Sequence, residues 1–371
     1  MKFKLKKSEH LHYFSLLRQI DKLSLTIREN KSLSSDSLVF YTVDGKLNIY
    51  SSNNISSSSV CLNVDVSEEF TFAIDSQLFY NAFSSFPIDE VNFAYVADSN
   101  SLVFGNKKTR VVLKSSALDS YQFIIDDLSI SENKQMDKLN SVNLYDSIKF
   151  TSFACNPNID EAPYSSIMIF FDNSKFNSQA SDKHRISFYG SKYDEQKSYL
   201  ITKNAADLIN SFIKKDISYT YTIDKNKLYI KWDRGVLSTK MELNTYDKVF
   251  KNFQSFVDSD VKLNTKINRL ALLKSIKFIS SIASSDSIDF RFNGAELIMS
   301  GSSSDKGLVS DIIPLFDEVE EIESSYLLNH LVKCLDTIEN EMISLSVLDF
   351  NGYNVLMLKS NDFKHILFPM E

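Results

Sequence analysis

Cysteine, glycine, proline and tryptophan are scarce: 371 residues hold three, eight, five and one of them. Cys61, Cys155 and Cys334 are odd in number and widely separated, and none sits in a Cys-x-x-Cys spacing. That argues against a disulfide framework and a zinc site, and leaves them as buried thiols. No apolar run approaches the length that spans a bilayer, and Met1-Lys2-Phe3-Lys4-Leu5-Lys6-Lys7 interleaves charges where a signal peptide needs an apolar stretch. A soluble, cytosolic protein is the expectation. Enzyme signatures are missing too. There is no Gly-x-Ser-x-Gly elbow, and Gly301-Ser302-Ser303-Ser304-Asp305-Lys306-Gly307 lacks the Gly-Lys-Ser/Thr order that cradles phosphates, so it reads as a strand-connecting loop. His10 and His12 lack a third ligand at a recognisable spacing, and no cluster of carboxylates suits magnesium. The expectation is a protein without catalysis, metal or cofactor.

The length exceeds what one hydrophobic core usually organises, and an apolar fraction of 43% is ample for two or three. A net charge of -7 counts, by itself, against a nucleic-acid partner, but net charge hides distribution. The plentiful Ser, Asn, Lys, Phe and Tyr read as bias in the coding sequence more than as chemistry. The acidic run Asp317-Glu318-Val319-Glu320-Glu321-Ile322-Glu323 reads as a solvated stretch favouring the N-terminus of a following helix.

One supersecondary pattern occurs three times. A short helix follows Ile74, Ile201 and Ile322, which lie 127 and 121 residues apart. In the first copy Leu78, Phe79, Ala82, Phe83 and Phe86 recur at helical spacing, Asp75 can cap the start and Pro87 ends the run. Tight turns follow at Asp98-Ser99-Asn100, Asp224-Lys225-Asn226 and Asp349-Phe350-Asn351-Gly352, each flanked by alternating strands. Each third also opens with an earlier helix, over 9–23, 144–155 and 270–282. Strands leading to turns at Asp44-Gly45 and Asn293-Gly294 follow the first and last of these. Each unit therefore packs two helices on one face of antiparallel sheet, an α+β class. Polar stretches 126–137 and 258–265 are the expected seams, giving repeats at 1–125, 126–257 and 258–371.

Three such units in this length resemble the bacterial DNA sliding clamp, the beta subunit of DNA polymerase III. Ala180-Ser181-Asp182-Lys183-His184-Arg185-Ile186 is similar to the family's Thr-Asp-Gly-His-Arg-Leu element. Asp247 to Phe253 and the C-terminal Ile366-Leu367-Phe368-Pro369-Met370-Glu371 match two further elements. The resemblance implies a non-enzymatic processivity factor. Its pocket, made by Tyr164, Ser181, His184, Arg185, Ile186, Asp247, Lys251, Ile366, Phe368, Pro369 and Met370, would receive short apolar peptides from polymerase, clamp loader and repair proteins. His184, Arg185 and free backbone groups near the C-terminus would orient the peptide. This sequence departs from the family at Lys183 (a glycine), Asp247 (a proline), Lys251 (an arginine) and Glu371 (a basic-Leu pair), so its partner peptides would differ from the usual consensus.

The family places its helices on the inside of the ring. Arg18, Lys22, Arg28, Lys149, Lys203, Lys214, Lys215, Lys274, Lys277 and Lys333 would then attract duplex DNA diffusely and without sequence preference. Two chains would close head to tail into a six-domain ring, each chain forming half, with Val111, Ile279 and Ile282 at the contact. Taken singly, His184-Arg185 reads as a surface pair and each basic residue as a solvated helix face. A scaffold built from the same repeats but binding no DNA is the alternative, told apart by its failure to close a ring.

Overall fold

Among the described residues three hairpins turn on two residues that both take positive φ, the geometry that suits the right-handed twist of paired strands. Asp44 (49°) and Gly45 (71°) join Ser37–Val43 to Lys46–Ser52. Lys225 (44°) and Asn226 (62°) join Tyr219–Asp224 to Lys227–Trp232, and Asn351 (53°) and Gly352 (86°) join Met342–Phe350 to Tyr353–Ser360. The turn expected at Asn293-Gly294 is not made. Strand Ser287–Ser303 runs through it as a bulged stretch, its register against Gly307–Leu327 shifting on both sides of Gly294.

The computed structural model describes residues 2–22, 37–53, 55–66, 68–117, 137–172, 175–193, 197–283, 286–303 and 307–370. Its α-helices are α1 (Lys7–Lys22), α2 (Ser76–Ser84), α3 (Ser141–Thr151), α4 (Ala162–Ser165), α5 (Lys203–Phe212), α6 (Asp247–Ser255), α7 (Arg269–Ile282) and α8 (Leu328–Thr337). Asp75 caps α2, its Oδ1 accepting from the Leu78 N–H at 2.7 Å, and Asn268 caps α7 through Ala271 N–H at 3.0 Å. No described helix is long and apolar enough to cross a membrane. The chain divides into two compact units, 1–141 with 208–241, and 142–207 with 242–371.

In the first unit, an antiparallel sheet of four strands runs Lys2–Lys6, Glu90–Val96, Ser101–Gly105, Arg110–Lys114. Rings from helices and sheets form its core. Phe79 of α2 lies within 6.3 Å, centroid to centroid, of Phe14, Phe40, Phe83, Phe93 and Phe104. A second sheet, of nine strands, joins the first and second thirds of the sequence: Ser56–Asp65 pairs with Gly235–Lys240, Ser56 facing Thr239 and Val60 facing Gly235. That seam buries serines. Ser56 Oγ meets Thr239 Oγ1 at 2.9 Å, Ser57 Oγ meets Ser238 Oγ at 2.7 Å, and Ser58 donates to the Val236 carbonyl at 2.9 Å. These serines are structural, since each buried hydroxyl finds a partner.

The second unit repeats the device. Its nine-stranded sheet runs Glu242–Leu243, Ser198–Thr202, Ser166–Asp172, Lys175–Ser181, Arg185–Tyr189, Phe363–Leu367, Tyr353–Ser360, Met342–Phe350, Asp260–Asn268. Here the weld is between Arg185–Tyr189 and Phe363–Leu367, from the second and last thirds. Beside it lies the two-stranded ribbon of Ser287–Ser303 and Gly307–Leu327, covered by the buried faces of α7 and α8.

Each third opens with a strand that the periodicity reading missed: Lys2–Lys6, Asp137–Leu139 and Asp260–Asn268, paired with Glu90–Val96, Tyr219–Asp224 and Met342–Phe350 respectively. The polar stretch 258–265 thus runs into a strand, while 126–136 lies outside the described residues.

Truncating the ring at the centre of the first unit, Phe79→Ala, should cost about 3–5 kcal/mol, the range for an aromatic cavity in a filled core. The check is the urea midpoint of the unfolding transition, and an unchanged midpoint would contradict this account of the core.

Candidate functional site

The weld in the second unit determines what meets at its surface. With Arg185 opposite Leu367 and Ile186 opposite Ile366, the residues just outside the ladder, His184 and Phe368, become neighbours, and the Phe368 N–H donates to the His184 carbonyl at 3.1 Å. The turn entering the strand is held by its own side chains. Ser181 Oγ donates to the Arg185 carbonyl at 2.8 Å and accepts from Lys183 N–H at 3.2 Å, and Asp182 Oδ1 accepts from His184 N–H at 3.2 Å. Lys183 is held at φ 77°, the left-handed region that suits glycine. Its ammonium stands 4.8 Å over the Tyr164 ring and 2.6 Å from Glu161.

Arg185 does not face solvent. Its side chain is 5% exposed, its Nε donates to Asp182 Oδ2 at 2.8 Å, and its guanidinium lies 5.5 Å from the Phe153 ring centroid. The expectation that it meets a peptide directly therefore gives way to a buried pair that fixes the turn. His330 of α8 approaches the same carboxylate at 4.0 Å. Burial, then the nearby Arg185 charge, pushes its pKa down to about 4. His365, fully buried with Nδ1 2.6 Å from Ser187 Oγ, is pushed well below its ordinary value by burial and Arg185. Burial raises the Cys155 thiol to about 12 and Cys334 well above its usual range. Both remain inert neutral groups.

On the opposite face of the sheet from Arg185 and His365 lies an apolar surface. Ile186, Ile366 and Phe253 are buried beneath it, with half-buried Tyr164, Phe256, Phe350 and Phe368 packed against them. Phe256 lies 4.8 Å from Phe368 and 4.0 Å from Phe350, and Tyr164 6.0 Å from Phe253. Pro369 is half-buried and Met370 is 43% exposed. The Met370 N–H donates to the Ser325 carbonyl at 2.8 Å, so the C-terminal N–H groups of Phe368 and Met370 are engaged and not free for a ligand. Asp247, in the first turn of α6, accepts from Tyr193 at 2.5 Å and Asn244 at 2.9 Å, and Lys251 is half-buried one turn on. Sequence alone does not point to Phe256 and Phe350: Asp349-Phe350-Asn351-Gly352 carries the signature of a turn, and Phe256 lies just beyond the segment that resembles the family. Glu371 lies outside the described residues.

The basic residues divide into two kinds. Lys149 pairs with Glu339 at 2.6 Å, Lys203 with Asp207 at 2.6 Å and Lys277 with Asp336 at 3.0 Å. Lys274 and Lys333 are exposed without a carboxylate partner among the described residues, and Lys214 and Lys215 are exposed. The Arg18 guanidinium stacks 4.2 Å from the Tyr80 ring centroid. Arg28 and the Lys22 side chain lie outside the described residues. Of the residues expected at a contact between chains, Val111 is half-buried and Ile282 is 36% exposed, but Ile279 is fully buried. The helix phase turns Ile279 into the core and leaves Phe278 exposed beside it. Among the described residues no group of three metal-ligating side chains occurs.

Because His330 and His365 are held neutral by folding, the unfolded chain binds more protons below its ordinary histidine pKa near 6.5. Stability should be fully present above pH 6.5 and fall as the pH drops toward 4. His330→Phe should flatten that slope in pH-dependent thermal melts, and an unaltered slope would remove His330 from the account.

No protein-family model matches the chain, and no curated protein matches it. Solved structures do. The DNA polymerase sliding clamp of Bacillus subtilis superimposes with a TM-score of 0.82 at 14% identity, covering 100% of this chain and 99% of that one. The beta subunit from the DNA polymerase of Streptococcus pyogenes gives 0.82 at 14%, covering both chains completely. The DNA polymerase III beta subunit of Thermotoga maritima gives 0.79 at 14%, covering 100% and 99%. What is shared at such identity is architecture, and from end to end this chain has the fold of the DNA polymerase III beta sliding clamp.

Proposed function

We propose that the chain is a DNA polymerase processivity factor, a non-enzymatic clamp that encircles duplex DNA and tethers polymerase and other replication and repair proteins to it. The observation that carries this reading is the apolar surface of Tyr164, Phe256, Phe350 and Phe368 at a strand weld, on a chain with the clamp fold over its whole length. Apolar anchors of short Leu- and Phe-containing peptides fit such a surface, with Lys183 and His184 exposed at its margin.

The topology supports ring closure. Taken as three repeats, 1–125, 126–257 and 258–371, the two welds use equivalent strands: Ser56–Asp65 with Gly235–Lys240, and Arg185–Tyr189 with Phe363–Leu367. The equivalents left over are Arg110–Lys114, the last strand of its sheet, and the first half of Gly307–Leu327. The former is basic, with Lys107, Lys108, Arg110 and Lys114; the latter leads into Asp317, Glu318, Glu320 and Glu321. Opposite charges, and edges without a partner strand among the described residues, favour head-to-tail pairing with a second copy, with exposed Val112 and Leu308 on the two edge strands. A cytoplasmic place alongside the replication machinery, with a clamp loader as a further partner, belongs to the same reading.

Phe368→Ala with Met370→Ala should weaken binding of an apolar clamp-binding peptide at least about 30-fold, corresponding to about 2 kcal/mol for a buried anchor. It should also shorten polymerase products on primed circular DNA while leaving oligomer size unchanged. Full stimulation by the double variant would remove the pocket from the function.

A further inference from the structure

The helices of the second unit carry the cations that a clamp would turn toward DNA, and most of those cations already have an internal partner. Lys149 at the end of α3 meets Glu339 just beyond α8, and Lys277 of α7 crosses to Asp336 of α8. Lys203 meets Asp207 one turn along α5. The three acids are at least half exposed, with side-chain exposures of 65%, 50% and 51%. They therefore stand at the surface beside the cations. A phosphate approaching any of these lysines meets a neutral pair with a carboxylate on one side of it. Lys274 and Lys333 have no such partner among the described residues.

We infer that Asp207, Asp336 and Glu339 set the strength of DNA contact: they neutralise the DNA-facing lysines from within and keep the clamp's grip on phosphate weak. The inference rests on the clamp reading above. The acid of each pair is at least half exposed, while Lys149 and Lys203 are partly buried and Lys277 is exposed; solvent-screened pairs of this kind contribute little to folding, so stability gives the acids no strong role. Their effect on a polyanion is larger. Every phosphate contact made by a lysine releases condensed counterions and steepens the dependence of log affinity on log salt by about 0.9. A lysine already paired with a carboxylate adds little to that slope. The chain's net charge of -7 and a DNA-encircling function are then compatible, because retention comes from topology and the helices only need to avoid repelling the duplex.

The test is a salt series of duplex binding, followed by fluorescence anisotropy on a 30-bp oligonucleotide, for the full chain and for Asp207→Asn/Asp336→Asn/Glu339→Gln. Freeing three lysines per chain should steepen the slope by about 2.7 for each chain in contact with the duplex, and a steepening of about 2.7 alone widens the ratio of affinities at 50 and 200 mM salt about 40-fold. A control of equal charge, Asp65→Asn/Glu90→Gln/Asp258→Asn, removes carboxylates paired with Lys46, Lys4 and Lys192, none of which is on these helices. It should leave the slope near that of the parent chain. Equal slopes in the two variants, or no steepening in the first, would overturn the inference. Retention of the parent chain on a nicked DNA circle and its release on linearisation, assayed in parallel, separates the two readings. Failure there removes the clamp reading itself, whereas retention with coincident slopes removes only the role of the three acids.

Discussion

The pairing of Arg185–Tyr189 with Phe363–Leu367 is the constraint on which the functional surface depends. Side chains alternate across a strand, so a slip of one residue would carry the buried Ile366 to the opposite face of the sheet and move His365 off Ser187. In the observed register Ile186 and Ile366 lie beneath the surface, and Phe368 emerges where its N–H meets the His184 carbonyl. The C-terminus is therefore both a seam strand and one wall of the site. The turn before the seam depends on it too. A lysine in the left-handed region costs on the order of 1 kcal/mol, and the hydrogen bonds of Ser181 and Asp182 hold it there. Asp182 is fixed in turn by buried Arg185.

Both seams follow one rule with different chemistry. In the first unit, buried serine hydroxyls pair across the ladder; in the second, isoleucine, phenylalanine and one neutral histidine do so. Buried polar groups are tolerated where a partner stands opposite, and the sheet register supplies that partner. The His330, Asp182 and Arg185 group is the exception that carries a cost, since two depressed histidines beside a buried cation make the second unit sensitive to acid.

Much of this fold was legible because local signals agreed with the global pattern. The Asp-Gly and Asn-Gly turns at 44–45 and 351–352, the cap at Asp75 and the approximate positions of α1, α2, α3 and α7 needed only period and composition. The opening strands did not stand out. Lys2-Phe3-Lys4-Leu5-Lys6 alternates perfectly, yet five residues of charge and apolar side chains do not name a partner strand, and that partner, Glu90–Val96, lies far along the chain. At the site, the motif pointed to the right turn but not to the direction of its side chains. Arg185 turns inward because Asp182, three residues earlier, is buried with it, and Ile279 and Phe278 exchange roles by one step of helix phase. Phe256 and Phe350 join the surface only through the sheet of the second unit. Distances of that kind are not written in any short window of sequence.

The central claim, a ring closed by two copies around duplex DNA, is tested most directly by electron microscopy of the purified protein. The account predicts a closed ring of six similar lobes around a hole on the order of 20 Å or more, wide enough for the duplex whose major groove alone is about 12 Å across. Compact particles without a hole would contradict it and favour a scaffold built from the same repeats.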